Sequence, residues 1–342
     1  MSHRITIEPS GHQFDVEPGN TILRAALAAG IALPYGCRNG ACGACKGRVA
    51  SGQVDRGPYS DGALSEAELD KGYALFCCAR PLSDLVIETR GPGEVRDIPV
   101  KTLPARVQKM TRLAPDVIRL QLRLPAGERL QFLAGQYMDI LLRDGRRRSF
   151  SIANAPEADE YLELHVRHVP GGYFTTYVFE TMKERDLLRL EGPHGDFHLR
   201  EDSAEPLILL AGGTGFAPVK AMVEHVIHRQ SPRPMTLYWG ARDRAGLYLN
   251  SLAESWAASR AGFGYVPVLS GPAMTDGWAG RTGLVHRAVM ADFPDLSGHR
   301  VYACGAPAMI EAARRDLVGG RGLKEENFFA DSFTFATDGA SP

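Results

Sequence analysis

The sequence has no surplus of charge of either sign: 39 Lys and Arg face 40 Asp and Glu, a formal net charge of −1. That balance argues against a nucleic-acid protein, which usually carries a basic surplus. No apolar run approaches the ~18 residues needed to span a bilayer. The first eight residues hold no apolar h-region, so no signal peptide is expected and the expected compartment is the cytoplasm. Internal repeats and low-complexity tracts are also missing. Cysteine is scarce, with six in 342 residues, yet five of them fall between Cys37 and Cys78. Clustered thiols in a cytosolic chain read as metal binding or redox chemistry before disulfides. Glycine, by contrast, is abundant at 37 residues, well above a usual share of ~7%. Such an excess suggests loops where backbone approaches something closely.

At ~150 residues per domain the length predicts two or three domains, and composition shifts divide the chain into three: 1–92, 100–202 and 205–336. In the first, residues 4–8 and 13–17 alternate on either side of Pro9-Ser10-Gly11, a β-hairpin pattern. Asn20 or Thr21 can cap an Ala- and Leu-rich helix over 22–29 that ends at Gly30. A Cys-rich loop follows, then a closing strand over 85–89 and a linker starting at Gly91-Pro92-Gly93. Residues 105–107, 117–122, 137–142 and 161–167 read as short strands separated by turns, a small antiparallel barrel. From about 205 strands alternate with helical stretches, an α/β pattern expected to give a doubly wound parallel sheet. Residues 337–342 are expected to be disordered.

The strongest chemical signal is Cys37-x4-Cys42-x2-Cys45, completed after 31 intervening residues by Cys77. Four thiolates are the ligand set of a [2Fe–2S] cluster, and this is the plant-type spacing. Small residues (Gly40, Ala41, Gly43, Ala44) let backbone N–H groups point at the sulfurs. A four-cysteine zinc site usually shows two paired short spacings, which the adjacent Cys77-Cys78 does not fit. Neighbouring residues on an extended segment point to opposite sides, so Cys77 and Cys78 are not expected to face one iron together; either could be the fourth ligand. Residues 33–45 and Phe76-Cys77-Cys78-Ala79-Arg80-Pro81 resemble a plant-type ferredoxin domain. The resemblance implies a β-grasp fold and selects Cys77, leaving Cys78 as a small buried side chain.

Arg146 and Arg147 read as a solvated turn, but Arg148-x-Phe150-Ser151 resembles the Arg-x-Tyr-Ser flavin motif of the ferredoxin–NADP reductase superfamily. Arg148 can clamp a phosphate bidentately, the Phe150 ring can lie on the isoalloxazine, and the Ser151 hydroxyl can reach flavin N5. Phe150 replaces the commoner Tyr, so a hydroxyl is lost while the ring face remains. Gly171-Gly172-Tyr173-Phe174-Thr175, after a strand ending at Arg167, resembles the second flavin element of that superfamily. There Gly172, Thr175 and Arg167 are expected near the pyrophosphate.

Third comes an apolar strand over 206–211 running into Gly213-Thr214-Gly215-Phe216-Ala217-Pro218. The helix after it carries Val219, Met222, Val223, Val226 and Ile227 on one face. Strand, Gly loop and helix N-terminus together hold a dinucleotide pyrophosphate. The spacing Gly213-x-Gly215-x-x-Pro218 departs from the Rossmann pattern and resembles the nicotinamide domain of the ferredoxin reductases. So do residues 237–242 and Val301-Tyr302-Ala303-Cys304-Gly305-Ala306-Pro307, where the resemblance places Cys304 near the reacting nicotinamide carbon. It also implies a near-terminal ring over the flavin, for which Phe333 is the match. His165, His168, His194 and His198 show no ligand spacing and read as polar surface or local hydrogen-bond partners.

The order ferredoxin, flavin barrel, nicotinamide domain matches the reductase components of oxygenases, and the cluster stretch with residues 74–82 is similar to the CDP-6-deoxyglucoseen reductase group. The resemblance implies electron transfer from NADH, or NADPH, through FAD and a [2Fe–2S] cluster to a partner protein such as a dehydrase or an oxygenase component. Ser151, Cys304 and Phe333 are then the residues nearest the chemistry. Two alternatives are a diffusible carrier or redox sensor without turnover, and a zinc-stabilised flavin reductase acting on a small molecule. Cys77→Ser is expected to lose the cluster, still reduce a flavin-level artificial acceptor and fail with cytochrome c. Cys78→Ser should keep a normal cluster spectrum; the opposite pair of results reverses the assignment.

Overall fold

Alternation at the N-terminus builds a hairpin of β1 (His3–Glu8) and β2 (Gln13–Val16), with Ile5 opposite Phe14 and both buried. These coordinates are a computed structural model that describes residues 2–31, 33–89, 98–274 and 277–333. The linker start at Gly91-Pro92-Gly93 and the terminal residues 337–342 lie outside the described residues. The chain divides into two compact units: residues 1–98 with 195–197 and 330–334, and the remainder.

In the first unit the hairpin is followed by α1 (Ile22–Ala28). Thr21, not Asn20, caps it, its hydroxyl accepting from Arg24 N–H at 3.3 Å. The remaining elements are β3 (Lys46–Ser51), β4 (Val54–Asp55), α2 (Glu66–Asp70), β5 (Tyr73–Leu75), β6 (Arg80–Pro81) and β7 (Leu85–Glu88). Five strands form one sheet in the order β2-β1-β7-β3-β5, with β1 and β7 parallel, while β4 pairs with β6. Ile22, Leu23 and Ala26 of α1 join Ile5, Ile7, Phe76 and Ile87 in the core. This is the hairpin–helix–sheet arrangement of a β-grasp domain.

The second unit opens with β8 (Lys101–Ala114), β9 (Val117–Arg123), β10 (Tyr137–Leu141), β11 (Arg147–Ser151) and β12 (Leu162–Arg167). Next come α3 (Tyr173–Glu180) and β13 (Leu187–His194). The strands form an antiparallel, barrel-like sheet in the order β11-β10-β13-β8-β9-β12. Of its members, β11 and β13 are not among the expected strands, and β8 is expected only in part. β8 extends well beyond 105–107, where few of its side chains are buried to mark the pattern, and β13 carries Gly192-Pro193, residues that punctuate a strand pattern. Ile118, Leu120, Leu122, Leu164 and Val166 pack its interior.

The second half of this unit alternates β14 (Leu207–Gly212), α4 (Phe216–His228), β15 (Met235–Ala241), α5 (Asn250–Ser259) and β16 (Phe263–Leu269). Next come β17 (Arg281–Thr282), α6 (Val285–Asp292), β18 (Arg300–Gly305) and α7 (Pro307–Gly320); β19 (Phe328–Ser332) follows, its residues from Ala330 on counted with the first unit. The sheet order is β17-β16-β15-β14-β18-β19, and β14 runs parallel to both β15 and β18. Nearly every residue of β14 is buried, as a central parallel strand covered on both faces requires. On α4 the expected apolar face is buried except for half-buried Ile227. Among the described residues no helix is long and apolar enough to cross a membrane.

Trp239 ties this fold to its loop. Its ring stacks on Phe216 at 3.8 Å, and its Nε1–H donates to the Gly213 carbonyl at 3.0 Å. Trp239→Phe removes that bond and leaves a void, so unfolding titration should show a loss of about 2 kcal/mol. NADH affinity should fall with it; an unchanged denaturation midpoint would contradict this role.

Candidate functional site

The cluster loop is built by the first unit. Cys42, Cys45, Cys77 and Cys78 are buried and Cys37 is half-buried. The N–H of Cys37 points at Cys42 Sγ and that of Ala41 at Cys37 Sγ, both at 3.4 Å. The thiols associate in two pairs, Cys37 with Cys42 and Cys45 with Cys77. The bond from Cys42 outweighs burial and holds Cys37 at about 6, while Cys42 is pushed well above the usual thiol range, chiefly by that same bond. Among the described residues the only group with three or more ligand atoms within 4.8 Å of one another is Asp139, Glu191 and His194. The four thiols therefore do not form the single tetrahedron that zinc needs. Two thiol pairs with amides aimed at sulfur fit a two-iron cluster. At Asp139 and Glu191 the facing cation is Arg147, which ion-pairs with Glu191 and lies 3.6 Å from Asp139. Arg147 is thus a strand residue with partners, not part of a solvated turn.

One geometric expectation fails. Residues 76–78 form a turn, closed by Cys78 N–H and Ala79 N–H on the Leu75 carbonyl at 2.9 Å, so they are not extended. Cys77 and Cys78 consequently place their sulfurs 3.6 Å apart. What separates them is company: Cys77 bonds Cys45, whereas the Cys78 sulfur lies against Gly40. A Cβ on Gly40, at φ +80°, would come within 2.8 Å of the Pro58 carbonyl and 3.0 Å of Cys78 Sγ.

Asp331 is a residue the sequence reading missed. Its carboxyl is buried, and a Cβ on Gly36 would lie 3.4 Å from its Oδ1 and 3.1 Å from Cys42 Sγ. Burial first, then the Cys37 charge, pushes it up to about 7. The available signal was a lone acid inside the apolar run 328–333. Phe333 is half-buried and belongs to the same unit.

In the second unit Arg148 and Phe150 share one face of β11, and buried Ser151 ends that strand. Arg148 donates to the Arg147 carbonyl at 2.8 Å, and the Phe150 ring lies 5.4 Å from Phe174. The Ser151 hydroxyl is buried without a hydrogen-bond partner, as are Nε and Nη2 of Arg167. Arg167 Nη1 pairs with Asp116 at 2.9 Å. Buried donors left open at the flavin motif are what a polar ligand would satisfy, so these residues fit a flavin nucleotide. Gly172 is the residue before α3, and its own N–H donates to the Val169 carbonyl at 2.9 Å. The Thr175 hydroxyl accepts from Val169 N–H at 3.1 Å and turns toward the Val169 and Gly172 carbonyls, bracing the turn.

The nicotinamide loop Gly213-Thr214-Gly215 is a single 3-10 turn between β14 and α4, with Pro218 in the first turn of that helix. Gly215 sits so close to β18 that a Cβ would lie 2.1 Å from the Cys304 carbonyl. Only glycine lets the loop pass Cys304 and Gly305. Cys304 is fully buried at the strand end. Arg167 Nη2 stands 3.6 Å from where a Cβ of Gly213 would be, so the end of β12 and the Gly loop meet within this unit.

A buried polar chain was also missed. His165 bonds Tyr248 at 3.0 Å and Glu163 at 2.9 Å, and Glu163 reaches Lys220 at 3.2 Å. Burial raises Glu163, but His165 and Lys220 outweigh it and hold the carboxyl at about 2. Burial lowers His165 more than Glu163 raises it, which keeps the imidazole neutral. Of the two readings of His165, the local hydrogen-bond partner holds and the surface position does not; the polar positions Glu163, His165 and Arg167 share one face of β12.

Three family models match the chain: a 2Fe-2S iron-sulfur cluster binding domain over residues 5–82, an oxidoreductase FAD-binding domain over 104–199 and an oxidoreductase NAD-binding domain over 209–315. The CDP-6-deoxy-L-threo-D-glycero-4-hexulose-3-dehydrase reductase of Yersinia pestis is 44% identical over 97% of this chain and 99% of its own. The reductase component DmpP of phenol 2-monooxygenase from Pseudomonas sp. (strain CF600) is 41% identical over 99% and 97%. Among solved structures, the Amycolatopsis cytochrome P450 reductase GcoB aligns with a TM-score of 0.78 at 36% identity, covering 98% of this chain and 100% of that one. With full-length relatives, three matching domains and the sites to go with them, the chain belongs to the family of flavin iron–sulfur reductases that carry electrons from NAD(P)H through FAD and a [2Fe–2S] cluster to a partner.

Proposed function

We propose that this reductase serves one dedicated acceptor protein in the cytoplasm, a deoxysugar dehydrase or an oxygenase component, and that NADH is its donor. The observation that carries the reading is the two thiol pairs on the same chain as the Gly213–Gly215 loop. A diffusible carrier needs no such loop, and a reductase of small molecules needs no one-electron group. We assign the ferredoxin, flavin and nicotinamide domains to 1–92, 100–202 and 205–336.

The bound groups supply hydride donation, division of an electron pair and one-electron delivery. The protein binds and orients them. Cys37, Cys42, Cys45 and Cys77 hold the cluster, with the Cys37 and Ala41 amides tuning its sulfurs. Arg148, with the N-terminus of α3 behind Gly172, takes the flavin phosphates; Phe150 faces the ring and the open Ser151 hydroxyl donates to it. Thr175 acts by holding the Gly172 turn. Gly213, Thr214, Gly215 and Pro218 form the dinucleotide cradle at the head of α4, with Arg167 beside it. Cys304 and Gly305 shape the nicotinamide pocket. Phe333 is assigned the role of ring cover.

NADH preference rests on the turn after β15. Asp243 accepts from Gly246 N–H at 3.0 Å and so is fixed at the head of its turn, between Arg242 and Arg244. A fixed carboxylate opposes a 2′-phosphate. The ratio of kcat/KM for NADH and NADPH should favour NADH; a clear NADPH preference abolished by Arg242→Ala would contradict this.

The flavin released by heat should be FAD, identified by chromatography; FMN alone would refute it. Arg146 is engaged elsewhere, with Asp144 and over the Tyr173 ring at 5.1 Å. Arg148→Ala should thus lose flavin more readily than Arg146→Ala; equal retention would remove Arg148 from the site. NADH consumption with each candidate acceptor from the native host tests the acceptor class, and a rate unchanged by all of them would speak against a dedicated partner.

A further inference from the structure

The buried charge chain of the second unit closes a circuit around the two ligand motifs. Lys220 lies on α4, five residues beyond Gly215, and is only 5% exposed. Its ammonium donates to the Ala153 carbonyl at 3.1 Å, two residues beyond Ser151. It also reaches Glu163 at 3.2 Å and Glu224 at 2.9 Å. From Glu163 the chain continues to His165 and to the Tyr248 hydroxyl. The Tyr248 ring meets Trp239 edge-on at 5.2 Å, and Trp239 donates to the Gly213 carbonyl. The circuit thus runs from the Gly loop through α4 to the flavin motif, along β12 and back to the Gly loop.

We propose that Lys220 is a positioning residue for electron transfer from the nicotinamide to the flavin, its ammonium fixing the flavin motif at Ser151–Ala153 against the Gly213–Gly215 loop. The inference rests on the flavin and nicotinamide assignments above. The sequence pattern at 213–218 does not call for a buried ammonium here, because the dinucleotide cradle is made of backbone and glycine. A buried lysine holds its charge only with partners on several sides. Here those partners come from the flavin half (Ala153, Glu163) and from α4 itself (Glu224), so the charge is satisfied only when both halves hold this one arrangement. Lys220 touches no atom that reacts, and it acts through the placement of Ser151 and the loop.

The test uses the purified protein with FAD and cluster in place, mixed with NADH without oxygen in a stopped-flow instrument. Three quantities are read: the limiting rate of flavin bleaching, the Kd for NADH, and the long-wavelength absorbance of the NADH–flavin complex. Small displacements at a reacting centre can cost on the order of 100-fold. Lys220→Met should keep its FAD and bind NADH within about threefold of wild type, while the limiting rate falls by about tenfold or more and the long-wavelength band weakens. Lys220→Arg should recover most of both. Tyr248→Phe leaves the ion pair intact and opens only the far side of the circuit, so its rate should fall about two- to fivefold. If Lys220→Met fails to fold, Lys220→Gln and Tyr248→Phe carry the test. Limiting rates equal to wild type in the folded variants overturn the proposal, as does a slower rate explained wholly by a weaker Kd. A wild-type flavin that NADH does not bleach would instead overturn the cofactor assignment beneath it.

Discussion

Lys220 keeps a positive charge in the interior of the second unit, and the elements around it are arranged to satisfy that charge. Removing one partner from a buried pair typically costs about 3–5 kcal/mol, because the other charge is left without compensation. The barrel-like sheet contributes Glu163 and the Ala153 carbonyl, and α4 contributes Glu224. Neither half satisfies the ammonium alone. The relative placement of the flavin motif and the Gly loop is therefore set by a directional polar contact, which apolar packing between two sheets would leave freer to slide. The neutral imidazole of His165 extends the same constraint to Tyr248, and from there to the aromatic stack of Phe216 and Trp239 beneath the loop.

The first unit solves a different problem with the opposite means. Its thiols must be brought close to one another in a loop of the chain. Short side chains at Gly40, Ala41, Gly43 and Ala44 let the backbone wrap the sulfurs, and amides at Cys37 and Ala41 point inward. Asp331 adds a buried carboxyl beside Gly36. Donated hydrogen bonds and a nearby acid act on the potential of the same cluster in opposite directions.

Local chemistry was legible in the sequence and long-range pairing was not. The Cys37–Cys45 spacing, the Gly213–Gly215 loop and the apolar face of α4 are written within a few residues, and each forms as read. The β-grasp order, the antiparallel sheet and the parallel sheet follow from periodicity together with resemblance. The failures have physical causes. Cys77 and Cys78 were read as extended, but two bonds to the Leu75 carbonyl turn the chain there. β13 hides behind Gly192-Pro193, β11 behind its run of Arg, and β8 buries so few side chains that only 105–107 stands out. Lys220 and Glu163 stand 57 residues apart, and Asp331 meets Gly36 from nearly the other end of the chain; no local pattern encodes such encounters.

The central claim is that two-electron donation and one-electron delivery are joined in one chain. An anaerobic titration of the purified protein with NADH, followed by flavin absorbance and by electron paramagnetic resonance, tests it directly. FAD accepts two electrons, the cluster one, and NADH gives two, so complete reduction should take about 1.5 equivalents of NADH and produce the resonance of a reduced [2Fe–2S] cluster. An end point at about 1.0 equivalent with a bleached flavin and no cluster resonance would contradict the account.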